Sequence, residues 1–117
     1  MNFISKRIKA FGYAFWGVYV FFAEGVHAKL MLLAALLACL FGWWLQISTI
    51  EWVTIILCCG LVLALEALNS ALEYLTNLAS PQQHPLAKKT KDVAAAAVLI
   101  ASVASALVAG LIFIPKL

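Results

Sequence analysis

The sequence predicts an all-α membrane protein with three transmembrane helices and an N-terminal amphipathic interfacial helix. Of the 117 residues, 66% are hydrophobic and only 11% are charged, whereas soluble domains contain roughly 45–50% apolar and about 25% charged residues. Three long apolar runs follow a first segment that mixes basic and aromatic side chains. This composition excludes an ordinary soluble enzyme, because a small domain could not bury so many apolar side chains. We therefore expect a single membrane domain over residues 1–117.

Residues 3–27 are expected to form the interfacial helix. They carry Lys6, Arg7 and Lys9 among many aromatic side chains, a combination typical of helices that lie at a membrane surface. A secretory signal peptide is the alternative interpretation, but the segment lacks a clear apolar core followed by a cleavage site of small residues.

The apolar runs predict three membrane spans, at residues 29–47, 51–78 and 92–114. A helix rises 1.5 Å per residue, so about 20 residues cross a hydrocarbon core of about 30 Å. We expect a loop at residues 79–91, because two prolines interrupt the helical pattern there. Asp92 would then cap the last span. Lys91 would lie beside the free N–H groups of that helix, which is a favourable place to bind phosphate.

The distribution of charge predicts the orientation in the membrane. Basic residues cluster in the first segment and in the loop at residues 79–91, whereas the short connection between the first two spans has none. Because Lys and Arg stay on the cytoplasmic side, we expect a cytoplasmic N-terminus. Among the charged residues, only Glu51 and Lys116 would lie toward the outer side. The net charge of +3 is too small to indicate a nucleic-acid partner.

The second predicted span carries a polar stripe on a helix face about 100° wide. Its members are Glu66, Asn69, Ser70, Glu73 and Asn77. Ionisable residues at membrane depth cost on the order of 2.5–3.5 kcal/mol each, so they indicate a function. The two carboxylates could bind a divalent cation together with phosphates, and the deeper one could act as a general base. Two other interpretations of the stripe remain open. Its side chains could form hydrogen bonds that hold helices together, or they could line a path for protons or ions.

Two blocks of the sequence resemble the prokaryotic diacylglycerol kinase family, which includes the undecaprenol kinases. They are the motif Glu-Ala-Leu-Asn-Ser-Ala-Leu-Glu at residues 66–73 and the run from residue 84 to residue 100. The resemblance implies a small integral-membrane lipid kinase of the bacterial inner (cytoplasmic) membrane. It also implies a homotrimer whose active sites lie between neighbouring protomers, and transfer of the γ-phosphoryl group of Mg²⁺-ATP to a lipid hydroxyl. The acceptor would be diacylglycerol or undecaprenol.

The same resemblance implies roles for individual residues. Glu66 would be the general base that takes the proton of the lipid hydroxyl. Glu73 and Glu24 would bind Mg²⁺, and Asn69 would position groups in the site. Six residues are expected to contact ATP, namely Lys6, Tyr13, Gln82, His84, Lys91 and Asp92. Lys91 would contact the phosphates.

The sequence departs from the family pattern at two positions. The family places its second metal-binding glutamate where this chain has Gly25, and Glu24 comes one residue earlier. In a continuous helix that displacement turns the side chain by about 100°. Asn77 replaces an acidic residue. The displacement of Glu24 keeps a non-catalytic membrane partner of the same fold as an alternative to the kinase, and the Glu66–Glu73 stripe keeps a small proton or ion transporter as another.

The last predicted span contains a stripe of small residues that recur every four positions. They are Ala97, Ala101, Ser105 and Ala109. Such a stripe lets helix backbones approach closely. The close contact could lie between protomers or within one protomer.

Overall fold

The computed structural model describes residues 2–117, so Met1 of the predicted domain lies outside the described residues. Four helices follow one another, α1 (Phe3–Glu24), α2 (Val26–Trp44), α3 (Thr49–Ala79) and α4 (Pro85–Phe113), and a short 3-10 helix ends the chain (Ile114–Lys116). Residues 2–117 contain no strand. Three helical segments, α2, α3 and the stretch Pro85–Lys116, are long and apolar enough to cross a membrane. The predicted fold class is confirmed.

The helices bury few side chains among themselves. α3 and α4 form the most extensive pair, and α2 packs mainly against α3. The buried apolar residues are alanine, valine and isoleucine, namely Ala28, Ile47, Ile55, Ala94, Val98, Ala101 and Ile112. Large apolar side chains point outward instead, for example Leu78 and Leu111, which are 80% and 78% exposed. Such a surface is compatible with contact to lipid, because a helix satisfies its own backbone hydrogen bonds and apolar side chains form none.

The small-residue stripe of α4 packs inside the protomer. Ala101 is buried, and the other three members are half-buried. Ser105 and Ala109 line an apolar cavity of about 270 Å³ whose other walls are α2 and α3. Part of the stripe thus faces α2 and α3 within one protomer, and contact between protomers stays a prediction.

The first helix ends earlier than predicted. α1 stops at Glu24 and α2 begins at Val26, so residues 26 and 27 belong to α2 and not to the interfacial segment predicted at 3–27. Gly25 between them has an extended backbone, and its N–H donates to the carbonyl of Phe21 at 3.1 Å. A β-carbon at Gly25 would lie 2.8 Å from that carbonyl oxygen. The junction therefore depends on the absence of a side chain at this position.

The loop between α3 and α4 is much shorter than the predicted loop at residues 79–91. α3 continues through Ala79, and α4 already begins at Pro85. Proline suits the first turn of a helix, because the N–H that it lacks would have no helical partner there. His84 caps α4, and its Nδ1 accepts a hydrogen bond from the N–H of Leu86 at 3.0 Å. The sequence interpretation was wrong here because it took both prolines as helix breakers.

The early start of α4 changes the position of two predicted site residues. Asp92 lies inside α4 and does not cap it, and the helix is seven residues longer at this end than the span predicted at 92–114. Lys91 is also more than one turn inside the helix, away from the free N–H groups. Its interaction with a phosphate would therefore rely on the side-chain charge alone.

At the far end of the bundle from this loop, the turn between α2 and α3 is held by polar contacts. Ser48 and Glu51 form a capping box, in which each backbone N–H donates to the side chain of the other residue. This arrangement satisfies two N–H groups at the start of α3. Lys116 Nζ lies 3.3 Å from Oε1 of Glu51. Glu51 and Lys116, the two charged residues predicted to lie toward the outer side, thus form an ion pair with each other.

Gly42 marks a close contact in this turn, and it gives a stability prediction. A β-carbon at Gly42 would lie 2.9 Å from Ile47 Cδ1 and 3.0 Å from the ring of Trp52, whereas nothing lies within 4 Å of one at Gly60 in α3. We expect Gly42→Ala to lower the melting temperature in detergent, because overpacking costs about 1–3 kcal/mol. Gly60→Ala is the matched control and should be neutral or stabilising, since alanine is the better helix former. Equal melting temperatures for the two variants would contradict the tight packing.

Candidate functional site

Glu66 is a buried carboxylate in the middle of an apolar helix, with 7% of its surface exposed. It follows the buried Ile55 by eleven residues, which returns a helix to nearly the same face. Glu66 therefore faces the interior of the bundle. Within the described chain, no side chain donates a hydrogen bond to it or forms an ion pair with it. An ionisable side chain without a described partner, at a largely buried position of an apolar helix, indicates a functional role more than a structural one.

The rest of the polar stripe runs from the interior of the bundle to its surface. Asn69 and Ser70 are half-buried, and Glu73 and Asn77 are exposed. The Oδ1 atom of Asn69 is buried and has no hydrogen-bond partner. Buried side-chain oxygens without a partner are uncommon. Asn69 thus offers a free acceptor one turn from the buried carboxylate.

An open groove of about 730 Å³ lies where α3, the short loop and α4 meet. Three of the predicted ATP contacts, Gln82, His84 and Lys91, line it together. Lys91 Nζ donates to Oδ1 of Asn77 at 2.7 Å, and this bond joins α4 to the exposed end of the polar stripe. Because the amide of Asn77 is neutral, it orients the lysine without cancelling its charge.

Asp92 lies outside the lining of this groove. Its carboxylate pairs with Lys88 one turn earlier on α4, at 2.6 Å, and both side chains are largely exposed. Exposed pairs with this spacing stabilise a helix by only about 0.3–0.5 kcal/mol. A ligand at the groove could therefore separate them at little cost.

Glu24 is joined to α3 by a hydrogen bond that the sequence analysis missed. The hydroxyl of Tyr74 donates to Oε1 of Glu24 at 2.8 Å. Because α1 ends at Glu24, the rotation of about 100° expected for a one-residue displacement in a continuous helix does not apply. Glu73, the other predicted metal ligand, directly precedes Tyr74. No periodicity or motif signals a contact between residues fifty positions apart.

The two remaining predicted ATP contacts lie on α1, away from the groove. Lys6 and Tyr13 do not line it. No residue of α1 is buried, and α1 packs mainly on the neighbouring end of α2. A single chain therefore does not bring these two side chains to the other predicted ATP contacts.

Comparison with known proteins adds a second line of evidence. A family model described as prokaryotic diacylglycerol kinase matches residues 12–113. The chain is 35% identical over 116 residues to the undecaprenol kinase of Bacillus subtilis (strain 168), an alignment that covers 99% of this chain and 94% of that protein. It is 34% identical over 97 residues to the diacylglycerol kinase of Escherichia coli (strain K12), with 83% and 80% covered. The diacylglycerol kinase of Helicobacter pylori (strain J99) is 32% identical over 96 residues, with 82% and 75% covered.

Proposed function

The chain belongs to the prokaryotic diacylglycerol kinase family and is a lipid kinase, and we propose that it transfers the γ-phosphoryl group of Mg²⁺-ATP to the hydroxyl of a membrane lipid. The observation that carries the proposal is the buried, unpaired carboxylate of Glu66 on the helix that ends at the groove. Phosphoryl transfer needs mainly positioning, neutralisation of the phosphate charge and a group that orients the attacking hydroxyl. The chain offers candidates for each of these tasks.

Glu66 is the proposed general base. Within residues 2–117 its side chain has no hydrogen-bond or ion-pair partner, and its helix α3 is long and apolar enough to cross a membrane. A positioned general base contributes typically 10²–10⁴-fold to a rate. Asn69 lies one turn away, and its free Oδ1 would help to position the reacting groups.

The groove is the proposed binding site for ATP. Its volume of about 730 Å³ falls within the range of roughly 300–1,000 Å³ found for small-molecule sites. Lys91 would contact the phosphates, because it lines the groove and, among residues 2–117, its ammonium group bonds to the neutral amide of Asn77 and to no carboxylate. Gln82 and His84 would supply polar contacts. Asp92 would contact the nucleotide once its exposed ion pair with Lys88 is broken.

The carboxylates of Glu73 and Glu24, which do not line the groove, are the candidates to hold a magnesium ion that arrives with ATP. The described residues include no group of three or more His, Cys, Asp and Glu side chains that could hold a metal on their own. Magnesium does not require such a group, because it is usually bound by one or two carboxylates together with phosphates and water. Glu73 and Glu24 would hold it in this way. When bound, the ion would neutralise charge on the phosphates.

We also propose a homotrimer in the bacterial cytoplasmic membrane, with a cytoplasmic N-terminus. The clustering of basic residues on α1 and on the first turns of α4 supports this orientation. Lys6 and Tyr13 lie outside the groove of their own chain, and a neighbouring copy would bring them to it. The shared site, and not the small-residue stripe of α4, is thus the argument for an oligomer.

The transporter hypothesis has less support than the kinase. An ion path would need polar side chains through both halves of α3, and Thr54 is the polar candidate beyond its first turn in the half away from the groove. Its hydroxyl donates to the carbonyl of Ile50 at 2.8 Å and is therefore already engaged.

Lipid phosphorylation is the direct test of the proposed function. The purified protein would be placed in lipid nanodiscs with diacylglycerol or with undecaprenol, together with radiolabelled ATP and Mg²⁺. We expect labelled phosphatidic acid or undecaprenyl phosphate on thin-layer chromatography, and no labelled product when Mg²⁺ is chelated. The acceptor with the higher kcat/KM is then the preferred substrate. If neither lipid became labelled by a folded preparation, the proposed function would be refuted.

A further inference from the structure

We propose that Tyr74 is a positioning residue whose hydroxyl holds the carboxylate of Glu24 at the metal-binding part of the site. This inference rests on the proposed function, in which Glu24 contributes to binding of the metal that accompanies ATP. Its basis is the hydrogen bond of 2.8 Å from the Tyr74 hydroxyl to Oε1 of Glu24. Within residues 2–117 it is the side-chain hydrogen bond that ties α1 to α3. It places the last residue of α1 beside the turn of α3 that carries Glu73.

The chemistry of the two groups suits this role. A phenol has one proton to donate, and an ionised carboxylate has two oxygens that can accept. The bond therefore occupies Oε1 and leaves Oε2 of Glu24 open to a cation. Hydrogen bonds to an ionised acceptor are roughly twice as strong as neutral ones, so Tyr74 restricts the orientation of the carboxylate as well as its position.

Little else in the chain holds Glu24 in place. No residue of α1 is buried, and the helix ends at Gly25, where the backbone becomes extended. Lys29, the nearest lysine or arginine along the chain, donates to the carbonyl of Ala23 at 3.4 Å and not to Glu24. Without the Tyr74 hydroxyl, the Glu24 carboxylate would therefore be free to turn away from α3.

The inference also explains how a displaced glutamate can serve the same site. A β-carbon at Gly25 would lie 2.8 Å from the carbonyl oxygen of Phe21 and 3.0 Å from Cβ of Ala28, so this junction has no room for a glutamate at that position. The carboxylate comes from Glu24 instead. Tyr74 then supplies the hydrogen bond that keeps it at α3.

Manganese binding tests the proposal without requiring turnover. Free Mn²⁺ would be titrated by electron paramagnetic resonance against the protein in nanodiscs, in the presence of a non-hydrolysable ATP analogue. We expect Tyr74→Phe to weaken Mn²⁺ binding about 10-fold, because loss of a partner that orients a metal ligand costs 10–100-fold in affinity. Amide hydrogen exchange over residues 21–25 should become faster. Tyr19→Phe is the matched control, since the exposed Tyr19 donates no hydrogen bond to another described residue, and both measurements should stay at the wild-type value.

Glu24→Gln separates the hydrogen bond from the charge. Glutamine keeps an oxygen that can accept from Tyr74, so exchange over residues 21–25 should remain slow while Mn²⁺ binding weakens. The double variant should bind Mn²⁺ no more weakly than Glu24→Gln alone, because Tyr74 acts through Glu24.

Four outcomes would overturn the role of Tyr74. Three are wild-type Mn²⁺ affinity in Tyr74→Phe, additive losses in the double variant, and a wild-type protein that binds no Mn²⁺. The fourth is weaker Mn²⁺ binding in Glu73→Gln combined with wild-type Mn²⁺ binding in Glu24→Gln, which would place the metal away from Glu24. Failure of lipid phosphorylation is a separate result: it would refute the proposed function, whereas the binding and exchange measurements would still decide the role of Tyr74.

Discussion

Glu66→Gln is expected to reduce lipid phosphorylation by about 10²–10⁴-fold, because an amide cannot serve as the general base. Glutamine has nearly the same size, so the packing around this buried position should remain. Glu66 does not line the groove, and binding of ATP should therefore stay close to the wild-type value. Initial rates at saturating Mg²⁺-ATP and the Kd of a fluorescent ATP analogue measure the two effects separately.

Glu51→Gln is a matched control for this variant, since it removes a carboxylate from the same helix at the opposite end. It breaks the ion pair with Lys116 and should lower stability slightly while leaving turnover intact. The melting temperature of Glu66→Gln should stay close to that of the wild type, because glutamine has nearly the same size and Glu66 has no described hydrogen-bond partner to lose. Turnover at the wild-type rate in Glu66→Gln would show that another group accepts the proton.

The sequence predicted the spans well where hydrophobic length alone decides the structure. α2 and α3 overlap the spans predicted at residues 29–47 and 51–78. The errors lie at helix ends: α2 ends at Trp44 and not at residue 47, and the outcomes at Gly25 and Pro85 depend on local stereochemistry. The junction between α1 and α2 requires glycine at position 25, because a β-carbon there would lie 2.8 Å from a carbonyl oxygen. Pro85 starts a helix because His84 caps it, whereas proline in a sequence is equally compatible with a loop.

The sequence predicts which site residues share a helix face, but it does not predict the contacts between helices that bring the site together. Residues that share a helix face, such as Glu66 and Asn69, follow from the helical period alone. The hydrogen bonds that join helices, from Tyr74 to Glu24 and from Lys91 to Asn77, depend on how helices pack, and no local pattern reports that. The gradient of burial along the stripe likewise depends on where neighbouring helices stop covering α3.

Lys91→Met should reduce kcat/KM for ATP roughly 10- to 100-fold, since a hydrogen bond to a charged group is worth about 1.5–3 kcal/mol. The long apolar side chain of methionine keeps much of the volume of lysine and removes the charge that faces the groove. Steady-state rates over a range of ATP concentrations, at saturating lipid, give the effect on KM and on kcat.

Lys89→Met is the control for the loss of positive charge at this end of the bundle. Lys89 lies two residues earlier on α4, is exposed and does not line the groove, so its variant should keep the wild-type kcat/KM. Asn77→Asp tests the same contact from α3: an aspartate can still accept from Lys91, but its negative charge would pair with the lysine and repel phosphates. We therefore expect Asn77→Asp to raise KM for ATP although the hydrogen bond is retained. Equal kcat/KM values in Lys91→Met and Lys89→Met would mean that the phosphates of ATP bind elsewhere than in this groove.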